Sequence, residues 1–217
     1  MDDLTIHPEQ MASKLKNDRL AALVTSRLCH DLVSPLGAIG NGLELLQMGG
    51  EFPGILQSPE LQLVAESLDA ARARLRWFRV AFGPAGAEQR LALPELTALL
   101  ADLERVGRLR LRLDAQGDLP RDEARLILLG LMCLETALPW GGSVLICRGA
   151  QGWRLVAQAA RTKRDPALWA WLDQGARLDL PEPLPAEVHF ALLASFAAGA
   201  RRSLAWELDE SGGEISF

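Results

Sequence analysis

The chain has 217 residues, of which 49% are apolar and 24% charged, a composition typical of a globular protein with one large or two small domains. A formal net charge of −5 argues against a general nucleic-acid binder. The acidic amino terminus lacks the apolar core of a signal peptide, and the apolar runs 126–134 and 190–200 are far shorter than the ~20 residues of a membrane span.

The three cysteines, Cys29, Cys133 and Cys147, are odd in number and widely spaced. This pattern argues against a disulfide framework and indicates a reducing compartment. We therefore expect a cytoplasmic protein.

The first part of the chain predicts a helical hairpin. Two stretches carry apolar residues at alternating steps of three and four, and each stretch forms a heptad seam. Segment 49–54, rich in glycine, separates them as a loop, and the helices are expected to begin near Asp18 and Ser58. Two helices cannot cover both seams, so we expect a homodimer that forms a four-helix bundle. The seam residues are Leu32, Leu36, Ile39, Leu43 and Leu46, then Leu61, Val64, Leu68, Ala71, Leu75, Phe78 and Phe82.

A second domain follows a polar linker that opens with Gly83 and Pro84. We assign 1–82 to the hairpin, 83–90 to the linker and 91–217 to the second domain. Helices packed on one face of a mixed sheet would make this domain an α/β sandwich, and the whole chain an α+β protein. Its predicted helices cover 94–106, 122–138, 166–173 and 186–198, and its predicted strands cover 109–113, 143–148, 153–158, 203–209 and 214–217.

The candidate functional residue is His30, in the segment RLCHDLVSP at 27–35. It lies two residues from both Leu28 and Leu32, about 200° around a helix from the seam, so its side chain is expected on the outside of the bundle. The positions four, seven, eight and eleven residues further along the same face are small or polar: Ser34, Gly37, Ala38 and Asn41.

Glycines are frequent next to this histidine. Gly37, Gly40 and Gly42 each cost a helix about 0.5–1 kcal/mol relative to alanine. A shallow surface that admits a partner's helix close to His30 would explain them. Pro35 is expected to kink the helix just after the histidine.

Basic residues of the second helix are expected at the level of His30, since the two helices are antiparallel. This cluster would attract a phosphoryl group or an acidic partner, or it is simply the solvated flank of the seam. Both interpretations stay open. The cluster consists of Arg72, Arg74, Arg76 and Arg79.

Two other kinds of site are not supported by the residues. Cys29, His30 and Asp31 diverge by about 100° each on a helix and do not converge on one metal ion. A serine hydrolase is equally unsupported, because the chain has no G-x-S-x-G elbow.

The segment His30 to Pro35 resembles the H-box of bacterial sensor histidine kinases, H-[DE]-x-x-[ST]-P. More closely, 26–46, 78–83 and 137–142 resemble the histidine phosphotransferases of the ChpT type, from alphaproteobacterial cell-cycle relays. The resemblance implies a dimeric four-helix bundle and a second domain shaped like the kinase ATP-binding domain but unable to bind ATP.

The second domain departs from active kinases where they bind nucleotide. Met132 and Thr136 stand at the positions that we align with the two N-box asparagines, which hold Mg²⁺. Residues 159–164, AARTKR, replace the D-x-G-x-G loop, and no G-x-G-x-x-G occurs. We therefore expect no autokinase activity and no cofactor of its own, with Mg²⁺ supplied by the partner.

The resemblance implies that His30 carries the phosphoryl group, received from the receiver domain of a hybrid kinase and passed to response regulators. Asp31 would orient the ring, and Ser34 stands where kinases keep a residue used in dephosphorylation. The alternative is a dimeric adaptor or inhibitor that carries no phosphate. We assign the partner-docking surface to Arg27, Ser34, Gly37, Ala38, Asn41, Arg76 and Arg79.

Overall fold

A computed structural model describes residues 8–48, 58–85, 88–149, 152–173, 180 and 182–217. The chain divides into two compact units, Met1–Ala85 and Gly86–Phe217. The first unit contains helices α1 (Pro8–Met48) and α2 (Pro59–Ala81), packed against each other as a hairpin. The predicted loop at 49–54 lies outside the described residues.

Helix α1 begins ten residues earlier than the predicted start near Asp18. Pro8 stands at the beginning, where a missing N–H costs nothing, and residues 9–19 are mostly strong helix formers. The helix runs through Pro35 as one element, although that proline removes one backbone donor from the ladder.

Helix α2 starts at the predicted cap. The Ser58 hydroxyl accepts the backbone N–H of Leu61 at 3.4 Å, and Pro59 opens the first turn. The carboxylate of Glu60 lies in that turn, where it interacts favourably with the helix dipole and accepts the Ser58 hydroxyl at 2.5 Å.

The predicted seams are only partly covered within the hairpin. On α1, Ala22 and Cys29 are buried, seven residues apart, while Leu68 is buried on α2. Three of the five predicted α1 seam residues lie on the outside instead, because α2 packs along the row that contains Ala22, Cys29 and the half-buried Leu36. The exposed seam residues of α1 are Leu32, Ile39 and Leu46.

The second unit has the predicted order of long helices and strands, with ends within three residues of the predicted ones. Two additional two-residue strands, β1 and β3, pair with each other and place Arg90, assigned above to the linker, in a strand. The elements are β1 (Arg90–Leu91), α3 (Leu93–Val106), β2 (Leu109–Asp114), β3 (Leu119–Pro120), α4 (Arg121–Ala137), β4 (Gly142–Gly149), β5 (Gly152–Gln158), α5 (Pro166–Trp169) with a 3-10 turn Ala170–Leu172, α6 (Val188–Gly199), β6 (Ala205–Leu208) and β7 (Gly212–Ser216).

Five strands form one mixed sheet in the order β2-β4-β5-β7-β6. Strands β2 and β4 are parallel and the other neighbours are antiparallel. Alternate residues such as Val144, Leu155 and Ile215 are buried, while Arg112 and Arg154 lie on the exposed face. The helices therefore cover one face of the sheet, which confirms the predicted sandwich.

Helix α4 is the centre of this unit. It is buried almost all round because the sheet packs against one side and α6 against the other. Gly130 lets it approach the sheet, since a Cβ there would lie 3.1 Å from Leu155. The buried carboxylate of Glu123 accepts Trp153 Nε1–H at 2.8 Å and Arg202 Nη2–H at 2.5 Å, which ties the first turn of α4 to two distant segments.

Candidate functional site

His30 lies in the middle of α1 with a side chain that is 81% exposed. Its neighbour Cys29 points the opposite way: the thiol is buried and lies 4.0 Å from the carbonyl of Leu75 on α2. Burial raises the pKa of that thiol, which therefore stays protonated. The imidazole is thus the accessible nucleophile of this pair.

The imidazole is held by its other neighbour. Nδ1 of His30 lies 3.2 Å from Oδ1 of Asp31, and Oδ2 of Asp31 lies 2.8 Å from Nε of Arg27. The hydrogen bond from His30, and then the charge of Arg27, lower the pKa of Asp31, so its carboxylate is ionised and can only accept. A neutral His30 ring therefore carries its proton on Nδ1 and its lone pair on Nε2.

The predicted docking residues of α1 share the exposed surface beside His30. Ser34, Ala38 and Asn41 are exposed, and Gly37 is half-buried. A Cβ at Gly37 or Gly42 would meet no atom within 4 Å, so hairpin packing does not require either glycine.

Gly40 has a different explanation from the one predicted. It is buried, and a Cβ there would lie 2.6 Å from Cζ of Arg72. The guanidinium of Arg72 crosses α1 at this point and donates to the carbonyls of Leu36 at 3.1 Å and Gly37 at 3.5 Å. Gly40 therefore serves the hairpin rather than an incoming helix.

The arginines of α2 do not act as one cluster. Arg72 binds α1, and the guanidinium of Arg74 lies 5.8 Å from the ring centre of Trp77. Arg76 and Arg79 are exposed, and Arg79 is close enough for its charge to lower the pKa of Cys29, against the effect of burial. Arg79 therefore lies near the level of His30.

In the second unit, α6 covers the side of α4 that carries Met132 and Thr136. His189 is buried, and its Nε2 lies 3.3 Å from the Thr136 hydroxyl, which donates to the carbonyl of Met132 at 3.0 Å. Burial lowers the pKa of His189 to about 4, although a hydrogen bond to the Met132 backbone favours the charged form. No local sequence pattern points to His189, and only tertiary packing brings it to these two positions.

Two absences apply to the described part of the chain. No group of three or more histidine, cysteine, aspartate or glutamate side chains there is arranged to hold a metal ion. None of its helices is both long enough and apolar enough to cross a membrane.

Comparison with known proteins identifies the family. Residues 93–212 match the family described as histidine phosphotransferase C-terminal domain. The chain is also 31% identical over 193 residues to the protein phosphotransferase ChpT of Brucella abortus (strain 2308), covering 85% of this chain and 89% of that protein. The chain belongs to the histidine phosphotransferase family. This confirms the resemblance to the ChpT type.

The histidine phosphotransferase fold extends over both units of the chain. A solved bacterial phosphotransferase structure is 27% identical, with a TM-score of 0.62, and the match covers 91% of this chain and 94% of that one. A more distant match, with 14% identity and a TM-score of 0.45, is the histidine kinase domain of a blue-light-activated kinase from Erythrobacter litoralis. It covers 81% of this chain and 92% of that domain.

Proposed function

We propose that this phosphotransferase accepts a phosphoryl group on Nε2 of His30 from the receiver-domain aspartate of a hybrid histidine kinase and passes it to the aspartates of response regulators. The observation that carries the proposal is the exposed His30 ring, whose Nδ1 lies 3.2 Å from Oδ1 of Asp31. Family membership supports a phosphorelay role, and this geometry supports His30 as the nucleophile.

The chemistry needs few groups from this chain. The Nε2 lone pair attacks the phosphorus of the partner's acyl phosphate, the P–O bond to the aspartate breaks, and its electron pair leaves with the carboxylate. The ring becomes a phosphoimidazolium whose Nδ1–H still donates to the Asp31 carboxylate. No proton needs to move, and the same steps in reverse transfer the group to the next receiver.

The docking surface in this proposal comprises Ser34, Gly37, Ala38 and Asn41 of α1, with Arg76 and Arg79 of α2. All of these residues except the half-buried Gly37 are exposed, which supports the proposal. Mg²⁺ comes with the receiver domain.

We also propose that the second unit binds no nucleotide, because His189 packs on Met132 and Thr136. The active protein is a cytoplasmic homodimer in this proposal, supported by its free cysteines and by exposed leucines on α1.

The proposal is tested by incubating the protein with a phosphorylated receiver domain and measuring acid-labile, base-stable phosphate. The wild type should acquire it, and His30→Gln should not, while circular dichroism shows unchanged helix content. His7→Gln is the matched control, because it also removes one of the three histidines. Mg-ATP alone should label neither protein.

Each other outcome has a definite meaning. Labelling of His30→Gln at the wild-type rate would show that another residue is the acceptor. A wild type that binds the receiver but takes no phosphate would support the adaptor alternative. Labelling of the wild type by Mg-ATP alone would show that the second unit is an active kinase domain.

A further inference from the structure

Arg27 stands one helical turn before Asp31 and contacts the carboxylate that holds His30. The two oxygens of Asp31 are divided between the neighbours: Oδ2 lies 2.8 Å from Nε of Arg27, and Oδ1 lies 3.2 Å from Nδ1 of His30. The three side chains form one chain of hydrogen bonds along the outside of α1.

Helix stability does not account for the Arg27–Asp31 pair. An ion pair four residues apart stabilises a helix better when the acidic residue comes first, and here the arginine comes first. The two side chains are 74% and 47% exposed, and pairs with such exposure contribute little to folding. Both residues also lie far from the ends of α1, where the helix dipole acts.

The contact with Arg27 restricts the rotation of the Asp31 carboxylate. The terminal torsion of an aspartate is broad, so an exposed carboxylate turns easily and exchanges its partners for water. A donor fixed on Oδ2 holds the carboxylate plane, and Oδ1 then remains directed at Nδ1 of His30. Asp31 in turn keeps the proton on Nδ1 and the lone pair on Nε2.

Resting on the proposed function above, we propose that Arg27 is a positioning residue for phosphoryl transfer, which acts through Asp31 on the tautomer and orientation of His30. This role differs from docking, to which the sequence pattern assigned Arg27. Arg27 keeps the carboxylate in place while positive charge develops on the ring during attack at phosphorus. It contacts neither the phosphoryl group nor the ring itself.

The test is a double-mutant cycle in the receiver-dependent transfer assay. Arg27→Ala should lower the rate at saturating receiver about two- to fivefold, the size expected for one exposed charge-assisted contact, with an unchanged KM for the receiver. Asp31→Asn should lower it further, and Arg27→Ala combined with Asp31→Asn should match Asp31→Asn alone. Arg27→Lys should restore part of the rate, because an ammonium can also donate to Oδ2.

A second measurement reports the ring directly. In ¹⁵N NMR spectra of the unphosphorylated protein, the share of His30 rings with the proton on Nδ1 should fall in Arg27→Ala. Arg112→Ala, which removes the same charge from the exposed face of the sheet, should leave both the rate and the spectrum unchanged.

Three results would overturn the positioning role. A loss confined to KM, and additive with Asp31→Asn, would return Arg27 to the docking surface. An unchanged rate would show that the contact has no role in transfer, and an unchanged ring spectrum would show that any effect bypasses His30. In all three cases transfer still depends on His30, so the proposed function itself is judged separately by His30→Gln.

Discussion

His189 shows how burial alone can set the charge of a residue. Its side chain is 4% exposed and packs against Phe190 with ring centres 4.8 Å apart. Desolvation penalises the charged imidazolium, and the one backbone hydrogen bond does not offset that penalty. The folded second unit therefore holds a neutral His189 under conditions in which an unfolded chain would bind a proton.

This difference predicts acid-dependent stability. The pKa of His189 is about 4 in the folded state and 6.5 for an ordinary histidine, as in an unfolded chain. The stability contributed by neutral His189 is therefore complete above pH 6.5 and is lost as pH falls towards 4. The loss is about 1.4 kcal/mol for each pH unit in that window. Urea unfolding at pH 7, 6 and 5 should show a steeper decline for the wild type than for His189→Gln. Parallel declines would contradict the buried neutral histidine.

Two glycines of α1 have different surroundings, although they are only three residues apart. Gly37 borders open space, whereas Gly40 lies under the guanidinium of Arg72. From the sequence, Gly37, Gly40 and Gly42 had one common explanation, a surface for a partner's helix. The sequence does not separate them because the crossing of Arg72 depends on the register of α1 against α2, which no local pattern specifies.

Alanine substitutions should therefore have unequal effects on the hairpin. Gly37→Ala should stabilise α1 by about 0.5–1 kcal/mol, because it adds helix propensity and meets no atom. Gly40→Ala displaces Arg72 from the carbonyls of Leu36 and Gly37, so it should be about 1–2 kcal/mol less stable than Gly37→Ala. Chemical denaturation followed by circular dichroism measures the difference.

Phosphoryl transfer gives the second measurement for the same pair of variants. If Gly37 belongs to the docking surface, Gly37→Ala should slow transfer despite its greater stability. Equal stability of the two variants would contradict the role given to Gly40, and unimpaired transfer by Gly37→Ala would remove Gly37 from the docking surface.

The helices and strands themselves could be predicted in type and order because their periodic patterns are long. Strands β1 and β3 were missed because two residues are too few to show an alternation. The start of α1 was missed because residues 8–17 are helical without belonging to the apolar seam. The partners of Glu123 were out of reach as well, since Trp153 and Arg202 come from segments 30 and 79 residues away.

The candidate site likewise combines features that the sequence predicts with features that depend on the folded structure. The exposure of His30 followed from its angle to the seam, and the contact with Asp31 joins adjacent residues. The contact between Asp31 and Arg27 spans four residues on one helix and is also local. The spacing alone does not show whether Arg27 positions the Asp31 carboxylate or binds a partner. His189 could not be placed, because α4 and α6 meet only in the folded second unit.

Packing within the hairpin leaves several large apolar side chains of α1 and α2 exposed. Leucines on α1 remain about half-exposed even though the hairpin is formed, including Leu28 at 58% and Leu32 at 50%. On α2, Leu63 and Val64 are 64% and 46% exposed. Burying one leucine side chain fully is worth about 1.5–3 kcal/mol, so a second copy that covers these residues would gain considerable stability.

This exposure predicts opposite outcomes for two leucine substitutions. Leu32→Glu should convert a dimer into a folded monomer, because the charge falls in the proposed interface but not in the hairpin. Leu68→Glu should instead unfold the hairpin, because Leu68 is 7% exposed and an unpaired charge there would be desolvated. Light scattering at micromolar concentration gives the mass, and circular dichroism gives the helix content.

Glu44→Gln, an exposed change on the same helix, is the control. A wild type that is monomeric, or a Leu32→Glu variant that stays dimeric with unchanged affinity, would show that this face is not where two copies meet.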